Sequence, residues 1–419
     1  MVKAVQFMKN VVVFYFEWRD LPLTSQSRLF LQIISANFST SLRKLALRAR
    51  IGNFAEFLAI SDFPNVDEVD FHFDYEPLGS TVDQEGKTLL DVVAPFVNRH
   101  ARQLRTIVIS SSSHADLSRF FQQLDPLPKL NRLGLRISFN IAHLSDPSIL
   151  PSLLGGWRAS LRHVEIVPNH LDVEGEQRRA NQHHTDWANA STLLIARTDC
   201  LHNLVSGELP YTTPEHTFPI LARSVPTLQR LKLTGHFLDR SAVEALLHLF
   251  AEHPFQLQSL WIGVKILDLY LLALLARRLP ALLSLVLIYQ QALPLPSYSP
   301  DVATERIPCP YKGYDHFTLK DRGYSFADWP LEELSFYCNR YSPPLPISGP
   351  YRKVHHFGIA SDVRTTFDLQ FGLAFFDEIP TLSVVGGYPV HTLLNPPTCF
   401  CIRKRGRKIR ELPYPIASP

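Results

Sequence analysis

Residues 226–233 read PTLQRLKL, and within them Leu228, Leu231 and Leu233 form the frame apolar-x-x-apolar-x-apolar. The same frame occurs as Leu42-Leu45-Leu47, Val66-Val69-Phe71, Leu104-Ile107-Ile109, Leu130-Leu133-Leu135 and Leu161-Val164-Ile166. It returns as Leu257-Leu260-Ile262, Leu282-Leu285-Leu287, Leu331-Leu334-Phe336 and Val354-Phe357-Ile359, with weaker forms at Val11-Phe14-Phe16, Leu201-Leu204 and Leu382-Val385. A chain of 419 residues would supply about 15 such frames by chance if about a third of residues qualified at each apolar site, so spacing has to decide. From Leu42 to Leu382 most frames start about 23 to 31 residues apart, and the few longer gaps are expected to hold insertions.

Two further signals keep phase with the frame. Proline stands two residues ahead of it at Pro64, Pro128, Pro226, Pro280 and Pro380. There it ends a helix and biases the chain toward an extended segment. Between frames, FAEFLAI (54–60), ADLSRFFQQL (115–124), DRSAVEALLHLFAEH (239–253) and LDLYLLALLARRL (267–279) carry apolar residues at helical spacing, with Asp239 and Ser241 as candidate caps of the third. The unit is strand, turn, helix, proline, strand. Such short strands are stable only when neighbours cover their aliphatic side chains. The expected fold is therefore α/β, a leucine-rich-repeat solenoid or horseshoe with a parallel sheet on its concave face and helices on its convex face. The competing expectation is an ordinary α/β domain with parallel strands.

The solenoid is expected over 1–394, with polar insertions at about 168–190 and 290–330, and a basic, Pro-containing, disordered tail over 395–419. No cap precedes Val11, so the first strand should leave a sheet edge open. Six cations, Arg403, Lys404, Arg405, Arg407, Lys408 and Arg410, fall in the tail. The chain has 42 basic and 39 acidic residues, net +3, so without those six the balance is −3. No nucleic-acid contact is expected except through the tail, whose basic run is also compatible with nuclear import. The start has an apolar run of only about six residues with no small-residue cleavage site after it, and no stretch has the roughly 20 apolar residues that span a bilayer. Five scattered cysteines argue for a reducing compartment. An intracellular protein without membrane contact, cytoplasmic or nuclear, is expected.

No frame for catalysis or cofactor binding is found, neither G-x-S-x-G, G-x-x-x-x-G-K-[ST], H-E-x-x-H nor a dinucleotide fingerprint, so no enzyme and no cofactor is expected. His183-His184 and His355-His356 are adjacent pairs whose side chains diverge on an extended chain, and Cys399-x-Cys401 lacks a second pair, so no metal site is expected. Ser110–Ser113 before His114 reads as a short polar loop. What remains is the x positions of the frame, which should line the concave sheet face. Arg132, His163, Glu165, Arg230, Lys232, Trp261 and His355 are the candidate partner-binding residues there, among others that include Arg43, Lys44, Asp67, Glu68, Asp70, Arg105, Glu332 and Glu333. Mixed charge around a large aromatic suits a polypeptide partner.

The phrases SLRKLAL, PTLQRLKL, LQSLWIGV and PLEELSFYCNR, at uneven spacing from about residue 11 to 394, resemble the irregular leucine-rich region of F-box-like proteins of mushroom-forming fungi. The resemblance implies a protein-protein interaction module, the substrate-recognition part of a cullin ubiquitin ligase, whose N-terminal F-box docks to the ligase adaptor. Too few residues precede Val11 for a three-helix F-box, and no LP-x-E-[IL] start is found, so only the recognition half is expected and adaptor docking is not. The alternative reading is a nuclear or nucleic-acid-associated protein acting through the basic tail.

Overall fold

The computed structural model describes residues 5, 7, 8, 10–18, 24–60, 63–74, 82–113, 115–138, 143–168, 194–197, 200–292, 326–338, 379–385 and 388–389. The His183-His184 pair, most of both insertions, the Val354 frame with His355, and the tail with Cys399 and Cys401 lie outside them.

Among the described residues, thirteen strands form one sheet whose spatial order is the order of the chain. They are β1 Val13–Trp18, β2 Lys44–Arg50, β3 Glu68–Asp74, β4 Thr106–Ser111, β5 Arg132–Ile137, β6 His163–Pro168 and β7 Ser206–Tyr211. There follow β8 Arg230–Gly235, β9 Ser259–Leu267, β10 Ser284–Ala292, β11 Glu333–Cys338, β12 Val384–Val385 and β13 Tyr388–Pro389. Every pairing from β1 to β12 is parallel, and β13 turns back antiparallel on β12. A parallel sheet alternating with helices, in a solenoid-like arrangement, is thus the architecture.

The frame sets the register. Its second and third apolar residues align across the sheet, as in Leu45↔Val69, Val69↔Ile107, Leu231↔Leu260 and Leu260↔Leu285. They join one hydrophobic cluster that runs from Val5 to Leu382. A parallel ladder that repeats also repeats its hydrogen bonds. At each strand entry one carbonyl accepts two successive N–H groups of the next rung: Arg43 O takes Asp67 and Glu68, Gln229 O takes Gln258 and Ser259, and Glu332 O takes Ser383 and Val384. Side chains in the turns tie rungs together in the same way, with Thr227 Oγ1 donating to Leu204 O at 2.8 Å and Thr381 Oγ1 to Leu331 O at 2.8 Å.

Helices cover one face of the sheet. Asp239 caps the helix Arg240–Leu249 by accepting from Ala242 N at 3.0 Å, while Ser241 only donates its hydroxyl to Asp239 at 2.7 Å. Asp268, which interrupts an apolar run in the sequence, caps the helix Leu269–Arg278 through Leu271 N at 2.8 Å. The helix at Ile51–Ile60 has the anticipated place, whereas that in 115–124 shrinks to Ser118–Gln122 because Asp116 turns the chain by accepting from Ser118 N. Helices at Ser25–Phe38, Val82–Thr88 continuing through a π-helical stretch at Leu89–Val93 into Ala94–Arg99, Ile149–Trp157 and Pro214–Ser224 belong to the same layer.

One frame needs correction. Leu201-Leu204 is three residues early. The rung is Leu204-x-x-Gly207-x-Leu209, since Gly207 pairs with Leu231 and Leu209 with Leu233. Glycine replaces the middle leucine because a Cβ there would lie 3.0 Å from Leu204 Cδ2, which already fills the space. At the other margin, β11 bonds directly to β12. At the first strand, Val13 and Tyr15 are more than half exposed, while Val5 is buried against the cluster.

Candidate functional site

Because strand side chains alternate, the residue between two core-facing leucines points to the face that, among the described residues, carries no helix. That face carries three rows. The middle row runs Ala46, Asp70, Val108, Gly134, Glu165, Glu208, Lys232, Trp261, Val286 and Ser335. The row at the strand starts runs Lys44, Glu68, Thr106, Arg132, His163, Ser206, Arg230 and Ser259. A third, one step beyond the middle, includes Arg48, His72, Ser110 and Arg136. Ala46, Val108 and Val286 are buried yet stand outside the continuous core, so the middle row is the floor of the open face.

Between β5 and β9 the face sinks into a recess of about 300 Å³. Six of the seven residues singled out from the frame line it: Arg132, His163, Glu165, Arg230, Lys232 and Trp261. The seventh, His355, lies outside the described residues, as do the six tail cations. Ser206 and Glu208, which the Leu201 frame misplaces, and Ser259, an x position of the Leu257 frame, also line it. Glu208 is hidden in the sequence by the misplaced Leu201 frame, although moving that frame by three residues would expose it. Arg136 is missed because it lies one position past the frame's end.

The charges of the recess are only partly committed to one another. Arg136 Nε donates to Glu165 Oε1 at 2.5 Å, and the Arg132 guanidinium stands 3.4 Å from Glu165 Oε2. Lys232 Nζ is 2.7 Å from Glu208 Oε1 and 4.3 Å from the centre of the Trp261 ring, so one ammonium bridges a carboxylate and an aromatic face. Arg230 is exposed, and its guanidinium has no hydrogen bond or ion pair among the described residues. His163 sits among cations: burial first, then the charges of Arg230, Arg132 and Arg162, push its imidazole below the usual histidine range. A neutral ring offers one donor and one acceptor. The hydroxyls of Ser206 and Ser259 face the same space. This assembly can hold a chain with carbonyl, amide and carboxylate groups; Ser206 is the register partner of His163, and no hydrogen bond joins their side chains among the described residues.

Further along the floor, burial pushes the Asp70 carboxyl up, and the nearby charges of Arg136, Lys44 and His72 only partly oppose it. Each of those groups already has a partner: Arg136 in Glu165, Lys44 in Glu68 at 3.8 Å, and His72 in Asp74 at 3.1 Å. The serines after β4 serve packing, with Ser113 Oγ donating to the buried Glu85 at 2.7 Å; His114 lies outside the described residues. Among the described residues no group of histidine, cysteine and acidic side chains could hold a metal ion, and no helix is long and apolar enough to cross a membrane.

No family model matches the chain, and no curated protein matches it.

Proposed function

We propose that the chain is a leucine-rich-repeat horseshoe that binds another protein on its concave, helix-free face, as the substrate-recognition part of an F-box/leucine-rich-repeat protein of a cullin ubiquitin ligase would. The observation that carries this reading is the recess between β5 and β9. Side chains from five successive rungs, separated by up to about 130 residues of chain, converge there around Trp261 and an uncommitted Arg230. A large aromatic flanked by unspent polar groups is the composition of a contact centre, whereas a merely solvated face would scatter them.

The test is affinity purification of the full chain from its own cells, compared with a triple variant, Trp261→Ala, Arg230→Ala and Lys232→Ala, and with a helix-side control, Arg277→Ala and Arg278→Ala. Partners retained by the wild type and the control but lost from the triple variant support the reading. Undiminished recovery of every partner by the triple variant removes it.

A further inference from the structure

Among the described residues, the three rows of the open face carry two uncommitted charges of opposite sign, Asp70 and Arg230, and the floor beside Asp70 is low. On β3, the Asp70 carboxyl has no hydrogen bond or ion pair among the described residues, although it is only partly exposed. Its neighbours in the row, Ala46 and Val108, are small and buried, and two rungs on stands Gly134, where a Cβ would already lie 3.1 Å from Val108 Cγ2. The walls on either side are closed pairs, Lys44 with Glu68 and Arg48 with Asp74. A desolvated carboxylate without a partner costs free energy that a cation supplied from outside would recover. Five rungs further, on β8, Arg230 offers a guanidinium that no carboxylate of the face takes, since Glu165 is held by Arg136 and Glu208 by Lys232.

We propose that the occupant of this face is an extended peptide segment of the partner protein, lying across the strands, with a lysine or arginine seated at Asp70 and an aspartate or glutamate at Arg230. This deepens the protein-binding reading above and rests on it. The spacing follows from the sheet. Five strand separations of about 4.8 Å make about 24 Å, which an extended chain at about 3.4 Å per residue covers in about seven residues. Charge complementarity thus selects a segment whose basic and acidic residues stand about seven positions apart. Between them the neutral His163 and the Ser206 hydroxyl can serve the segment's backbone, and on β9, just past the acidic residue, Ser259 can do the same while Trp261 covers an apolar residue.

The experiment selects from a displayed library of random peptides about twelve residues long, with the intact chain as bait. Parallel baits are Asp70→Asn, Arg230→Gln and Trp261→Ala, each checked for an unchanged circular dichroism spectrum and a melting temperature no lower than that of the wild type. Wild-type selections should enrich peptides with Lys or Arg about six to eight positions from Asp or Glu. Asp70→Asn should relax only the basic position and Arg230→Gln only the acidic one, each weakening a selected peptide about ten-fold or more. Asp70→Lys should bind a peptide whose basic residue is exchanged for glutamate, a gain that a folding defect cannot produce. Enriched peptides without the spaced charges, or indifferent to both substitutions, overturn the proposal; if Trp261→Ala still abolishes their capture, the recess remains the contact centre. Binding that requires phosphoserine in place of the acidic residue also overturns it. Failure to enrich any peptide overturns the proposal, while the purification comparison above decides the broader reading separately.

Discussion

Adjacent residues on β8 should respond oppositely to truncation. Leu231 is 2% exposed, faces the core and pairs across the ladder with Gly207 and Leu260. Leu231→Ala removes three buried carbons, a transfer loss of about 2.4 kcal/mol at about 0.8 kcal/mol each. The glycine rung beside it has no side chain to swing into the space, so part of the volume stays empty and the full cost should be about 3 to 4 kcal/mol, inside the usual range for such cavities. Arg230, one residue earlier, is exposed and unpaired, and Arg230→Ala should change stability by less than about 0.5 kcal/mol. Urea unfolding followed by circular dichroism, with both variants against the wild type, measures the contrast. Similar losses at the two positions, or a larger one at Arg230, would refute the register on which the open face and its recess are built.

Asp239→Ala should destabilise by about 1 kcal/mol at neutral pH through loss of the cap on the Arg240–Leu249 helix. The Ala242 N–H, then the Ser241 hydroxyl, hold this carboxyl below the usual range, so its contribution is present above the unfolded-state value of about 4 and fades as pH falls through the lower native value; urea titrations at several pH values should show the penalty shrinking in acid. Asp70 has the opposite sign: burial raises its native value, so the stability it contributes when protonated is lost as pH rises through that value. Asp70→Asn should therefore match the wild type near pH 4 and become the more stable of the two toward about pH 7, and a constant difference across that window would contradict the desolvated setting of this carboxylate. Gly235, with φ of 99° and a Cβ site 3.1 Å from Tyr211 O, should tolerate alanine poorly, at a cost of about 1 to 2 kcal/mol in the same unfolding assay; a neutral substitution would show that the β8 exit is not held in this conformation.

Where side chains alternate, register is legible one strand at a time. The frame at Leu42, Val66, Leu104, Leu130, Leu161, Leu228, Leu257, Leu282 and Leu331 places the apolar residue two positions before each strand, and six of the candidate residues at its x positions meet in one recess. The rung at Gly207 was illegible because its middle position is not apolar, and Glu208 disappeared with it. The full extents of the Ser25–Phe38, Val82–Thr88 and Ala94–Arg99 helices were not read from spacing; their positions are set by the sheet they cover.

The sequence by itself determined where most strands begin and which of their side chains meet water, because the two-residue alternation of a strand is local and each short apolar frame repeats it. Only the tertiary structure decided which charges answer one another. Arg136 reaches Glu165, Lys232 reaches Glu208, and Asp70 and Arg230 are left over, because partners 24 to 29 residues apart become neighbours only when intervening helices of unequal length bring successive rungs into line. Coulomb attraction acts across that lateral alignment, and no one-dimensional pattern contains it.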